Sequence, residues 1–302
     1  MSSGAPFSIG NLQKLQTLTL RGCSKLEDLP ANINLISLDR LDLTDCLLLK
    51  RFPEISTNVE SLCLKRTTIE EVPSSIKSWS RLTYLHMSYS ENLKNFPHAF
   101  DIITELQVTN TEIQEFPPWI KKFSRLTVLR LKGCKKLVSL PQIPDSIYGI
   151  DAEDCESLER LNSSFHNPKI WLKFAKCFKL NQEARDLIIQ TPTSKYAVLP
   201  GREVPAYFTH QSTTGGSLTI KLNEKPLPTS MRFKACIMLV HKGDDEARDD
   251  KNWMDENGCY VSCKKSKHYL YPVLAELVFE FKIDIKNWKI KECGVFQLSE
   301  LP

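Results

Sequence analysis

No glycine-rich phosphate loop, HExxH pair or GxSxG turn occurs anywhere in the 302 residues. P-loop nucleotide hydrolysis, zinc-dependent proteolysis and serine-hydrolase chemistry therefore lack the residues that carry them. The six histidines, at 86, 98, 166, 210, 241 and 268, are scattered and none falls in a metal-ligand spacing. Cys259 and Cys263 form a CxxxC without a second pair, which reads as two neighbouring thiols. No catalytic residue, metal or cofactor is expected, and enzyme is the weak hypothesis. No apolar run approaches the roughly 18 residues that a membrane helix needs. The opening MSSGAPFSIG has no basic stretch before an apolar one, so it is not a secretory signal and reads as a truncated beginning. Strong charge is missing too: the net charge is +4, with −1 in residues 1–165 and +5 afterwards. Neither part is basic enough to argue for nucleic acid. Nucleic acid and membrane are both excluded as expected partners.

What the chain does have is repetition. LTLRGCSKLEDLP at 18–30 returns as LDLTDCLLLKRFP at 41–53 and LRLKGCKKLVSLP at 129–141. Seven units of the form LxxLxL follow one another: Leu15/Leu18/Leu20, Leu38/Leu41/Leu43, Val59/Leu62/Leu64, Leu82/Leu85/Met87, Ile103/Leu106/Val108, Leu126/Leu129/Leu131 and Ile147/Ile150/Ala152. Their steps of 21 and 23 residues lie in the leucine-rich-repeat range. Period-2 alternation turns the two closely spaced apolar residues inward. One strand cannot bury its apolar face alone, so the units must stack in parallel and share a core. Small residues, Cys23, Cys46, Thr67, Ser90, Thr111, Cys134 and Cys155, recur where the chain turns inward after each strand. That shared position argues for buried, reduced thiols rather than a disulfide framework. An apolar-proline step ends six of the units, as in Leu29-Pro30 and Phe116-Pro117, and suits a convex side with little helix.

The residues between the leucines face outward and form a concave parallel sheet. The candidate partner-binding residues on it are Arg40, Asp42, Lys65, Tyr84, His86, Glu105, Gln107, Arg130, Lys132 and Asp151. Seven strands spaced about 4.8 Å apart span roughly 30 Å. That breadth suits a protein surface better than a metabolite, which prefers an enclosed pocket.

Near Pro168 the texture changes. Ile170, Phe174, Cys177, Phe178 and Leu187 stand near helical spacing, so one or two short helices are expected to cap the last repeat. Strands dominate from Tyr196: residues 217–222, 231–240, 276–285 and 288–298, the last with Gly294 placed for a bulge. Several short strands without intervening helix point to an antiparallel sandwich. The expected domains are a leucine-rich-repeat solenoid at 7–165, a helical capping linker at 166–192 and an all-β domain at 193–302.

GCSKLEDLP and the shorter RTTIEEVP resemble the repeats of plant intracellular TIR-type NLR immune receptors. CFKLNQEARDLI at 177–188, LPGREVPAYFTHQSTTGGSLTIKL at 199–222 and WKIKECGV at 288–295 resemble their C-terminal jelly-roll/Ig-like domain, C-JID. The wording is nearest to the downy-mildew-resistance receptors of crucifers. The resemblance implies recognition of a pathogen effector by the concave face together with loops of the β domain, Arg202, Glu203 and Trp253 among them. In full-length receptors of this kind, binding releases autoinhibition by the receptor's own nucleotide-binding domain and promotes tetramer assembly. An N-terminal TIR NADase then triggers the defence response and hypersensitive cell death. Neither TIR nor nucleotide-binding motifs occur in this sequence, and the loop region at 241–272 is shorter than the family pattern. An intracellular location, cytoplasmic or nuclear, is expected. A generic repeat scaffold and a carbohydrate-binding or hydrolytic sandwich are the alternatives.

Overall fold

A computed structural model describes residues 7–30, 33–89, 91–108, 111–191, 196–201, 203–221, 231–241, 258–266, 276–283 and 288–298. The chain divides into two compact units. The first holds residues 1–111, 115–132 and 141–149, and the second holds 112–114, 133–140 and 150–302.

In the first unit, β1 (Thr17–Thr19), β2 (Arg40–Asp42), β3 (Ser61–Leu64), β4 (Tyr84–Ser88), β5 (Glu105–Gln107) and β6 (Val128–Arg130) pair in sequence order, all parallel. Their inward residues make the core: Leu41, Leu62, Leu64, Leu85, Leu106 and Leu129 are essentially inaccessible. The opposite side is built from short 3-10 turns at Ser74–Ser78, Glu91–Asn95, Pro97–Asp101 and Pro118–Lys122, two of which start on proline. Tyr89, Trp119 and Phe100 stack there, with near-parallel rings 5.8–6.0 Å apart.

Six of the described turns share a common geometry. Gly22, Asp45, Arg66, Gly133, Asp154 and Lys176 all adopt positive φ, between 54° and 75°. Each immediately precedes the small turn residue Cys23, Cys46, Thr67, Cys134, Cys155 or Cys177. The left-handed residue aims its N–H at the next unit, as Asp45 does to the Lys65 carbonyl at 3.0 Å. The small residue then bonds backward: the Cys46 thiol donates to the Leu20 carbonyl at 3.2 Å and the Cys177 thiol to the Ala152 carbonyl at 2.9 Å. Lys176 holds this conformation against its own Cβ, so Lys176→Gly should stabilise the protein by about 0.5–1 kcal/mol. A rightward shift of the urea midpoint is the expected reading.

Cys46, Cys134 and Cys155 are buried free thiols, as their position predicts. Cys23 is exposed instead, because its unit lies at the end of the stack and no earlier described strand covers it. A second correction concerns Cys236, which is disulfide-bonded; the thiol set is therefore not uniformly reduced. The Cys155 thiol touches Cys134, a contact that works to lower its pKa. The Cys177 contact and burial outweigh it and hold the thiol above its ordinary range.

The second unit begins inside the repeats, with β7 (Ser139–Leu140), β8 (Gly149–Asp151, its last two residues here) and β9 (Arg160–Leu161). The segment read as helical from 170 divides. β10 (Trp171–Lys173) is a further parallel strand beside β8, with Ile170, Leu172 and Phe174 buried and Cys177 at the turn position. It is an eighth repeat. Only α1 (Gln182–Gln190) is α-helical, capped by the Asn181 side chain on the Ala184 N–H at 2.8 Å. Arg185 anchors it through the carbonyls of Leu180 and Pro200.

β11 (Ala197–Pro200) continues parallel to β10 and begins an antiparallel sheet with β12 (His210–Ser212), β14 (Met231–His241), β15 (Gly258–Ser266) and β17 (Trp288–Leu298), in the order β11-β15-β14-β17-β12. β13 (Ser217–Lys221) pairs with β16 (Glu276–Glu280) as a separate ribbon. Leu218 and Ile220 from the ribbon meet Phe233, Cys293 and Val295 from the larger sheet in one core. Lys234 is buried among these strands, its ammonium donating to the Thr191 carbonyl at the helix end, 2.8 Å away. This is where a cation complements a helix dipole. The expected bulge at Gly294 lies elsewhere: the register of β17 shifts between Ile290 and Glu292. Gly294 is required because a Cβ there would lie 2.6 Å from Val204 and 2.8 Å from Phe208.

Candidate protein-recognition surface

The outward residues of the first unit fall into rows set by strand register. Thr17, Arg40, Ser61 and Tyr84 align across β1–β4, and so do Thr19, Asp42, Cys63 and His86. The next pairing departs from the repeat pattern. Met87, not Leu85, pairs with Leu106, and His86 stands opposite Glu105. The offset is two residues. Strand side chains alternate with period two, so the core keeps its leucines while the outward neighbours are exchanged. Backbone groups confirm the offset: the Thr104 N–H donates to the Leu85 carbonyl at 3.1 Å, and the Arg125 guanidinium takes up the Thr83 carbonyl at 3.2 Å.

The consequence is a charge cluster centred on Glu105, which is only 6% exposed. Lys65 Nζ lies 2.7 Å and Arg130 Nε 2.6 Å from the same carboxylate oxygen, while His86 Nδ1 is 3.7 Å from the other. Burial alone would raise the carboxyl pKa. The bonds to Lys65 and Arg130 outweigh it and hold the group below the usual range. His86 is also held below its ordinary value, chiefly by burial, with Glu105 pulling the other way and the two cations adding to the depression. At neutral pH the cluster thus holds two cations, one carboxylate and a neutral imidazole.

Tyr84 stands 49% exposed beside it, its ring edge-on to His86 at 6.4 Å. Arg40 and Lys132 are exposed. Gln107 is half-buried, in register with Ser88 and Arg130. Asp42 turns back to accept the Thr44 N–H at 2.9 Å. Asp151 belongs to the second unit, where it is buried and accepts the Glu153 N–H at 3.4 Å. Of the β-domain residues, Glu203 is exposed, and Arg202 and Trp253 lie outside the described residues.

Sequence reading missed a second set of outward residues, those of the eighth repeat. Trp171 stacks on Tyr196 with ring centres 6.4 Å apart, and Lys173 reaches Glu153 at 3.4 Å. Burial opposes the Lys173 charge, but Asp151 and Glu153 raise its pKa above the ordinary value. The signal was the spacing Leu172-x-Phe174-xx-Cys177, which repeats Leu129-x-Leu131-xx-Cys134. Among the described residues no group of three or more His, Cys, Asp or Glu is placed to hold a metal ion. None of the described helices is long and apolar enough to cross a membrane.

Residues 199–299 match the C-JID domain family. Over 292 residues the chain is 51% identical to the probable disease resistance protein RPP1 of Arabidopsis thaliana, covering 88% of this chain and 24% of that one. The relatives that this chain matches over most of its length are plant TIR-NBS-LRR disease resistance proteins. Two more Arabidopsis thaliana relatives resemble nearly all of the chain. Disease resistance protein RML1A is 36% identical over 98% of this chain and 32% of its own length, and RPP5 is 33% identical over 96% and 21%. The chain therefore spans about a quarter of the length of the first of these disease resistance proteins. The leucine-rich-repeat domain of the type III effector XopL is a distant structural neighbour, 19% identical over 59% of this chain and 66% of that one. Its TM-score of 0.33 is too low to inform the fold further.

Proposed function

We propose that this chain is the recognition portion of an intracellular immune receptor, and that it binds a pathogen effector protein through the open sheet face of its repeats. The observation that carries the reading is the Tyr84 platform beside the Glu105 cluster. It is an exposed aromatic held at a fixed angle on a sheet whose charged neighbours are already ordered. Aromatic anchors of this kind dominate protein interfaces. The C-JID match and the disease-resistance relatives favour this reading over a generic scaffold or a sugar-binding sandwich. The second unit is, on this reading, a jelly-roll/Ig-like domain whose loops share the contact. In a full-length receptor the same face would also meet the nucleotide-binding domain in the resting state and help set tetramer assembly, in the cytoplasm or nucleus. The role is binding, not catalysis.

Titration calorimetry of the chain against secreted proteins of crucifer pathogens tests the proposal. One of them should bind, and Tyr84→Ala should weaken it about 30-fold, a loss of roughly 2 kcal/mol. Glu71→Ala, an exposed residue outside the strand rows, should change little. Failure of every candidate, or equal affinity for Tyr84→Ala and the parent, would move recognition off this face.

A further inference from the structure

The ionisable side chains at the outward strand positions of the first unit are unequal in sign. Arg21, Arg40, Lys65, Arg130 and Lys132 stand against Asp42 and Glu105. The two acids are also withdrawn from solvent. Glu105 is sunk between Lys65 and Arg130, and Asp42 is half-buried on its own turn backbone. Of the acids flanking these strands, Glu60 precedes β3 and is exposed, Asp39 is half-buried and paired with Arg81 at 2.9 Å, and Asp45 is half-buried and shared by Arg21 and Arg66. A partner approaching Tyr84 therefore meets positive potential, with Arg40 exposed two strands away in the same row.

We propose that this sheet face receives an acidic protein surface, with Tyr84 as its apolar anchor and Arg40 as its cation contact. The inference rests on the recognition reading above and adds the partner's chemistry to it. Complementary charge at an interface sets on-rate and partner choice more than the depth of binding. Nucleic acid is the other polyanion such a face could meet. The chain's modest +4 charge and a band interrupted by Ser61, Cys63 and a neutral His86 argue for the smaller, patterned charge of a protein.

The experiment uses the full chain and four probes: oligoglutamate, oligolysine and glycine-serine peptides of equal length, and single-stranded DNA. Affinity is measured by fluorescence anisotropy at low and moderate salt. Three variants are compared: Arg40→Glu, Tyr84→Ala, and Lys77→Glu, which makes the same charge change on an exposed residue of a 3-10 turn. Thermal melts establish that each is folded. Oligoglutamate should bind best, lose affinity with salt, and weaken about tenfold for Arg40→Glu but little for Lys77→Glu. Equal binding of the three peptides, equal effects of Arg40→Glu and Lys77→Glu, or tighter DNA binding through Arg40 would each overturn the proposal. A pathogen protein that binds with an affinity unchanged by Arg40→Glu would leave the recognition reading standing and sink this one alone.

Discussion

Phe174→Ala should lower the unfolding free energy by about 3–5 kcal/mol, the cost of emptying a fully buried aromatic site. Phe174 has no measurable exposure and sits in the eighth repeat, where its N–H donates to the Val198 carbonyl at 2.8 Å and its carbonyl accepts from Cys177. Its neighbours Leu172 and Cys177 are equally buried, and Leu172 belongs to a strand paired on both sides, so the site cannot collapse without shifting β10. If residues 170–178 were instead an amphipathic cap, the loss would be a fraction of this and confined to local opening. Hydrogen exchange separates the two: Ala152, Leu172 and Phe174 amides should all lose protection in the variant. Unchanged protection at Ala152, whose N–H bonds the Lys173 carbonyl, would overturn the eighth-repeat assignment.

Glu105→Ala should cost about 2–3 kcal/mol in chemical denaturation at neutral pH. Removing one member of a buried ion cluster commonly costs 3–5 kcal/mol, reduced here because Lys65 and Arg130 still reach water. Glu105→Gln should lose less, since the amide oxygen still accepts a hydrogen bond. The pH dependence has a definite sign. The Glu105 pKa is lower in the folded state than in the unfolded, so its contribution is present above the ordinary carboxylate range and is lost as pH falls through the folded value. His86, also depressed, contributes fully above its ordinary 6.5 and loses that contribution on further acidification. The parent protein should therefore weaken steadily from pH 7 toward 4, and Glu105→Ala should show a flatter decline below pH 5. Identical slopes for the two proteins would show that the cluster does not couple to folding.

Much of the solenoid was legible because its determinant is local. LxxLxL places Leu62 and Leu64 inward whatever the neighbouring strand does, and the structure buries both. The offset between β4 and β5 was invisible for the same reason: a two-residue shift leaves every inward residue inward, so the leucine pattern carries no trace of it. Lys65, His86, Glu105 and Arg130 could be read as sharing a face, but not as converging on one carboxylate. The eighth repeat was hidden by coincidence. Ile170, Phe174, Cys177 and Phe178 satisfy a helical period as well as a strand-and-turn unit, and of the three leucine positions only Leu172 keeps its leucine, with Lys169 and Phe174 at the other two. Gly294 was recognised as special for the wrong reason, because close approach of Val204 and Phe208 comes from chain segments some ninety residues apart.

The β4–β5 offset also bears on how such a surface can diversify. A two-residue register shift at one strand pair re-sorts which side chains stand opposite one another across that pair, while the buried leucines stay inward and the next pair, Leu106 with Leu129, is regular again. A repeat family could then acquire new combinations on its outward face by sliding one strand pair, with no substitution at the face positions themselves.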